Sequence, residues 1–107
     1  MSQRVFFEPI KELAFGGISA VYAPLGAATT HEVRMFRIAN DTEGDMYITT
    51  NLSQDEMFLS SGTFVLYDLQ ANKDDEDGKF VLKVGTQFYV KQSTAPVSGS
   101  VRAECIY

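Results

Sequence analysis

Val33 to Thr50 reads VRMFRIANDTEGDMYITT, and the fold turns on it. Two runs of strand formers flank Asn40-Asp41-Thr42-Glu43-Gly44-Asp45, a cluster of turn residues. That pattern predicts a β-hairpin with a loop of several residues. In the second run Met46, Ile48 and Thr50 fall on one face, Tyr47 and Thr49 on the other. The first run is less regular, with Val33 and Met35 pointing one way and Phe36 and Ile38 the other. A strand apolar on both faces is expected to be central or locally bulged.

Outward from this stretch, turn signals recur every eight to fifteen residues from Gly16 onward, the spacing of a sandwich or barrel. Strands are predicted at 18–24, 55–59, 63–69, 80–84, 87–92 and 101–107, besides the two central runs. Pro24 marks an edge position or a strand end. The expected fold is all-β, an antiparallel β-sandwich of about eight strands, Ig-like or jelly-roll. It occupies residues 16–107, and residues 1–15 form an N-terminal arm or edge segment.

In that first segment Pro9 to Phe15 predicts one or two helical turns, with Pro9 near the start and Gly16 just past the end. Its Phe6, Phe7, Leu13 and Phe15 are too apolar to be left in water. They are the candidate assembly contacts, either packed as an edge of the domain or docked on a neighbouring subunit.

With 107 residues, 45% of them hydrophobic, one domain can bury an adequate core without metal or disulfide staples. The net charge is −5 and the basic residues are scattered. Direct nucleic-acid binding is not expected, because Lys and Arg must neutralise phosphates. Cys105 is the single cysteine, so it reads as a small buried hydrophobe, and no intrachain disulfide is possible. The N-terminus lacks the apolar core of a signal peptide, and no run approaches a membrane span.

Catalytic and metal chemistry find little purchase. The acidic loop Asp74-Asp75-Glu76-Asp77-Gly78 lacks the ligand order of an EF-hand and reads as a solvated loop. Asp41 to Asp45 reads as turn chemistry. His31 is the lone histidine and needs a nucleophile or carboxylate brought to it by the fold. Gly16-Gly17 precedes a strand and offers no helix N-terminus for phosphate. No cofactor and no enzyme activity are expected. A carbohydrate-binding module is an alternative, with Tyr22, Tyr47, Tyr67, Tyr89 and Tyr107 as candidate platforms, though alternating aromatics also serve sheet packing.

Three stretches carry a resemblance. They are Val33-Arg34 through Ile38–Thr49; Gly62-Thr63-Phe64-Val65-Leu66-Tyr67-Asp68-Leu69; and Val84–Lys91 with the closing Gly99–Tyr107. In their order they are similar to small β-sandwich virion structural proteins of tailed bacteriophages. The resemblance covers about residues 18–107 and leaves the first segment outside. It implies a structural subunit at the head–tail neck or connector, or alternatively a capsid decoration (cement) protein. Its partners would be portal, neck or major capsid proteins and further copies of itself, in a virion assembled in the host cytoplasm. The pattern contains no catalytic residues.

Overall fold

A computed structural model describes residues 6–69 and 82–107. Among these described residues there are eight strands: β1 (Lys11–Ala14), β2 (Ala23–Pro24), β3 (Met35–Asn40), β4 (Met46–Thr49), β5 (Met57–Leu59), β6 (Phe64–Asp68), β7 (Tyr89–Gln92) and β8 (Ser100–Ile106). A 3-10 turn, Phe15–Gly17, follows β1. Among the described residues no helix is long and apolar enough to cross a membrane.

The strands form two four-stranded antiparallel sheets, sheet I in the order β1-β8-β3-β6 and sheet II in the order β2-β7-β4-β5. The pairs 1:8, 2:7, 3:6 and 4:5 are those of one long antiparallel ribbon folded at β4–β5 and rolled up, so that β8 also meets β3 and β7 meets β4. This is the pairing of a jelly roll. The expected all-β sandwich of about eight strands is present, in the second of the two expected arrangements.

Two local expectations are corrected. Val33–Thr50 is not a hairpin, because β3 lies in sheet I and β4 in sheet II. The true hairpin lies one connection later, between β4 and β5. The reason is the Asn40 side chain. Its Nδ2 donates to the carbonyls of Gly44 (2.8 Å), Leu59 (3.0 Å) and Ser60 (3.3 Å). Its Oδ1 accepts from the Thr42 N–H and Oγ1–H. This network bends the chain out of sheet I and ties the bend to the β5–β6 connection, which crosses between the sheets at the same place. Gly44 is required there, since a Cβ would overlap the Thr94 carbonyl.

The second correction concerns residues 9–15. Lys11–Ala14 is an edge strand antiparallel to β8 and not a helical turn. Upstream, Phe7 bridges Ile106 while Lys11 pairs with Ala103. Four steps on one strand therefore match three on the other, a β-bulge around Pro9-Ile10. The bulge turns Glu8 and Lys11, three residues apart, to the same inward side.

Of the strand expected over 80–84, residues 80 and 81 lie outside the described residues, and Leu82 makes an isolated bridge to Val33. The acidic loop 74–78 also lies outside them. β3 is central, as expected, with Phe36 and Ile38 in the core and Met35 and Arg37 half-buried on the outer face. Val33, read onto the Met35 face, precedes β3 and is buried in the core. Met46, Ile48, Phe88, Val90, Val101, Ala103 and Cys105 complete the layer between the sheets.

Candidate functional site

Three features of the surface bear on function, and the first is the N-terminal segment. Phe6 exchanges backbone hydrogen bonds with Tyr107, its N–H to the Tyr107 carbonyl (3.0 Å) and its carbonyl to the Tyr107 N–H (2.8 Å). Its ring stacks on Tyr107 at 5.5 Å. Leu13 packs against the core. Phe7 is 70% exposed, and Phe6 and Phe15 are also exposed. The four candidate contact residues are thus not one patch: one packs inward and three remain on the surface.

Beneath this segment Glu8 is buried with its charge. Its Oε1 meets Lys11 Nζ at 3.3 Å, and its Oε2 accepts from the backbone N–H groups of Thr30 (3.0 Å) and His31 (2.9 Å). Burial pushes the carboxyl up. The Thr30 N–H, Lys11 and His31 outweigh it, and the group sits below the ordinary carboxylate value. His31 stacks on Tyr107 at 3.6 Å, nearly parallel.

Chemically this cluster is a clamp. Thr30 Oγ1 and Glu8 Oε2 both approach the same nitrogen, His31 Nδ1, whereas a catalytic triad needs nucleophile and carboxylate on opposite nitrogens. The adjoining cavity, lined by Glu8, Pro9, Ile10, Lys11, Ala27, Ala28 and Thr30, measures about 170 Å³. That is below the roughly 300 Å³ at which small-molecule pockets begin.

The second feature is the outer face of sheet II. Strand register sets Lys91 beside Tyr47 and Tyr47 beside Phe58. Lys91 Nζ lies 4.7 Å from the Tyr22 ring centre and 5.4 Å from that of Tyr47. Tyr47 and Phe58 meet edge-on at 5.2 Å. Asp55 accepts from the Tyr22 hydroxyl and pairs with Lys91 at 3.3 Å. Burial and the Asp55 carboxylate push the Tyr22 phenol up, and the Tyr22 hydroxyl in turn lowers Asp55. The result is a row of three aromatic rings with a charged pair at its centre.

Of the five tyrosines singled out in the sequence, Tyr22 and Tyr47 come together here. Tyr89, two residues before Lys91 on β7, shares the face. Tyr67 tilts onto Phe36 at the open side of the core, and Tyr107 belongs to the His31 stack. Phe58, Lys91 and Asp55 escaped the sequence reading. Only the strand order, which depends on contacts far apart in the chain, brings them to the row.

The third feature is β6, an outer strand of sheet I. Phe64 is 58% and Leu66 54% exposed, and Tyr67 is also exposed. Arg37 lies over the Phe64 ring at 4.7 Å and pairs with Glu104 at 2.8 Å. Among the described residues no three His, Cys, Asp or Glu side chains gather as a metal site. No family model, curated protein or solved structure matches this chain.

Proposed function

We propose that this chain is a structural subunit of a tailed-phage virion that works by assembly and not catalysis, repeated at the head–tail neck. Decoration of the capsid surface is the alternative location. The observation that carries the reading is the exposure of large apolar side chains along both edges of sheet I, Phe7 on one side and Phe64 and Leu66 on the other. Exposed apolar groups clustered on strand edges mark association surfaces. The resemblance of the three strand-and-turn stretches supports the same reading. So does the jelly-roll pairing, which viral capsid proteins use, although a fold alone does not assign a function.

Quantitative mass spectrometry of purified particles tests it. A small fixed copy number per particle is expected for a neck component, and hundreds of copies for a decoration protein. Absence from particles overturns both.

A second reading is favoured by the row Tyr22, Lys91, Tyr47 and Phe58 with Asp55. Jelly rolls also serve as lectins, and aromatic rings beside hydrogen-bonding groups suit the mixed apolar and polar faces of a sugar. Binding on a glycan array that Tyr47→Ala abolishes would support this reading. An array with no signal removes it.

A further inference from the structure

The four outer strands of the two sheets are not equally protected. β2 is two residues long and contains Pro24, and β5 is three residues long. β1 carries Lys11 and Glu12 and is preceded by a bulge beside Pro9. Proline, shortness, charge and bulges are the usual ways of keeping a strand edge from pairing with another chain. β6 has none of them over Phe64-Val65-Leu66-Tyr67. Among the described residues no strand lies beyond it.

Its hydrogen-bonding direction can be assigned. Asn40 N–H donates to the Thr63 carbonyl and Leu69 N–H to the Arg34 carbonyl. With the β3–β6 register, alternation then aims the backbone groups of Val65 and Tyr67 at β3. Those of Phe64 and Leu66 point outward. The side chains of Phe64 and Leu66 also share the solvent-facing side of sheet I.

We infer that β6 is a homotypic assembly edge, pairing antiparallel with β6 of a second copy about a twofold axis at Val65. In this register Phe64 of one copy faces Leu66 of the other, and each such pair exchanges two backbone hydrogen bonds. The two exposed apolar side chains meet across the axis on one face, the kind of cross-strand contact that stabilises sheets. The two Val65 residues oppose each other at the centre. Sheet I thereby continues from copy to copy.

Charge favours this orientation. Each copy carries a net −5, and acidic sequence follows β6. An antiparallel pair sends the two chains out at opposite ends, with the two Asp68 residues about 20 Å apart. That exceeds the screening length of roughly 8–10 Å. A parallel pair would set them side by side.

A second copy is also the occupant that the geometry fits without a foreign sequence, since the edge is self-complementary as a twofold interface demands. The interface is small, so a Kd of about 0.1–1 mM is expected, to be strengthened in an array by multivalency. The inference rests on the assembly reading for its place in a particle, and the experiment separates the two.

Sedimentation velocity on the full chain, from about 10 µM to 1 mM, should show a shift from monomer to dimer. Leu66→Glu, whose new carboxylate faces Arg37 across the ladder, should stay folded by circular dichroism and lose association at least roughly tenfold. Val21→Lys, at an exposed apolar site elsewhere, should leave association unchanged. Opposed residues of a non-hydrogen-bonded pair lie about 4.5 Å apart at Cα, within disulfide range. V65C should therefore crosslink to itself when oxidised glutathione takes up the two electrons, and V97C should not.

A wild-type chain that stays monomeric throughout, or association indifferent to Leu66→Glu, overturns the pairing. If particles contain the chain and incorporate the Leu66→Glu variant as well as wild type, the pairing falls and the assembly reading stands. Self-association through β6 by a chain absent from particles has the opposite meaning.

Discussion

The two ends of sheet I are each held by a buried polar knot, and they are built from opposite chemistry. At the C-terminal end of β3 the knot is neutral. Asn40, fully buried, spends both atoms of its amide on Thr42 and on three backbone carbonyls. At the N-terminal end of β3 the knot is ionic, with Glu8 joining Lys11, Thr30 and His31. The Asn40 knot gathers the connections that cross between the sheets. The Glu8 knot pins the outermost strand and one loop. The first should therefore hold the whole fold at any pH, and the second should hold one edge of it in a pH-dependent way.

Asn40→Ala is the hardest blow to this comparison. It takes from the Thr42 N–H and the buried Leu59 carbonyl the partner that Asn40 supplies, each worth about 1–3 kcal/mol, while the Gly44 carbonyl keeps the Thr42 hydroxyl. The expected loss is about 4 kcal/mol, a large part of the roughly 5–15 kcal/mol that holds a domain together. By urea titration this loss should be the same at pH 4 and pH 7, since no charged group is removed. A loss below about 1 kcal/mol would mean that the arch is shaped by its neighbours and not by Asn40.

Glu8→Gln should cost less, roughly 3 kcal/mol at pH 7, by leaving Lys11 without its buried partner. Here pH matters. The folded Glu8 carboxyl sits below its ordinary value of 4.5, so its contribution is complete above about that pH. It is lost as pH falls through the folded value. The stability gap between wild type and Glu8→Gln should therefore close on acidification. Glu43, held at about 2 by Ser98 and the backbone N–H groups of the same loop, and Asp55 and Glu56, also lowered, are common to both proteins and cancel. A gap that stays constant down to pH 3 would show that the ionic character of the knot contributes nothing.

How much of this was readable beforehand differs between the two ends. Around Asn40 the turn itself was legible from Asn40-Asp41-Thr42-Glu43-Gly44-Asp45, but not where the chain goes after it. The decision lies in hydrogen bonds to Leu59 and Ser60, 19 and 20 residues further along the chain, and short-range turn chemistry contains no trace of them. Around Glu8 the local signals misled. Pro9 near the start and Gly16 just past the end are the signals of a short helix, and nothing local marks the bulge that turns Glu8 and Lys11 inward on a strand. Alternation was dependable where both neighbours are strands of the same sheet, as in Val101, Ala103 and Cys105 against Arg102 and Glu104. The aromatic row was half legible. Tyr22 and Tyr47 were visible as candidates, and only the sheet order could add Phe58, Lys91 and Asp55.

The finest distinction between the knots can be read from Cys105, which is buried on β8 with its carbonyl accepting from the Glu8 N–H (3.0 Å). Burial pushes its thiol up to about 11, so iodoacetamide at pH 8 should reach it only when the structure opens. If opening is a local parting of β1 from β8, Glu8→Gln weakens the contact that resists it. The four residue pairs from Lys11 to Ala14 remain, so the rate should rise by only about tenfold, equivalent to roughly 1.4 kcal/mol. Asn40→Ala, at the far end, should then change the rate by no more than a few-fold. If opening is global, each variant should speed alkylation by its full stability loss, about a thousandfold for Asn40→Ala. That larger response would make the sandwich one cooperative unit and dissolve the division between a knot for the fold and a knot for its edge.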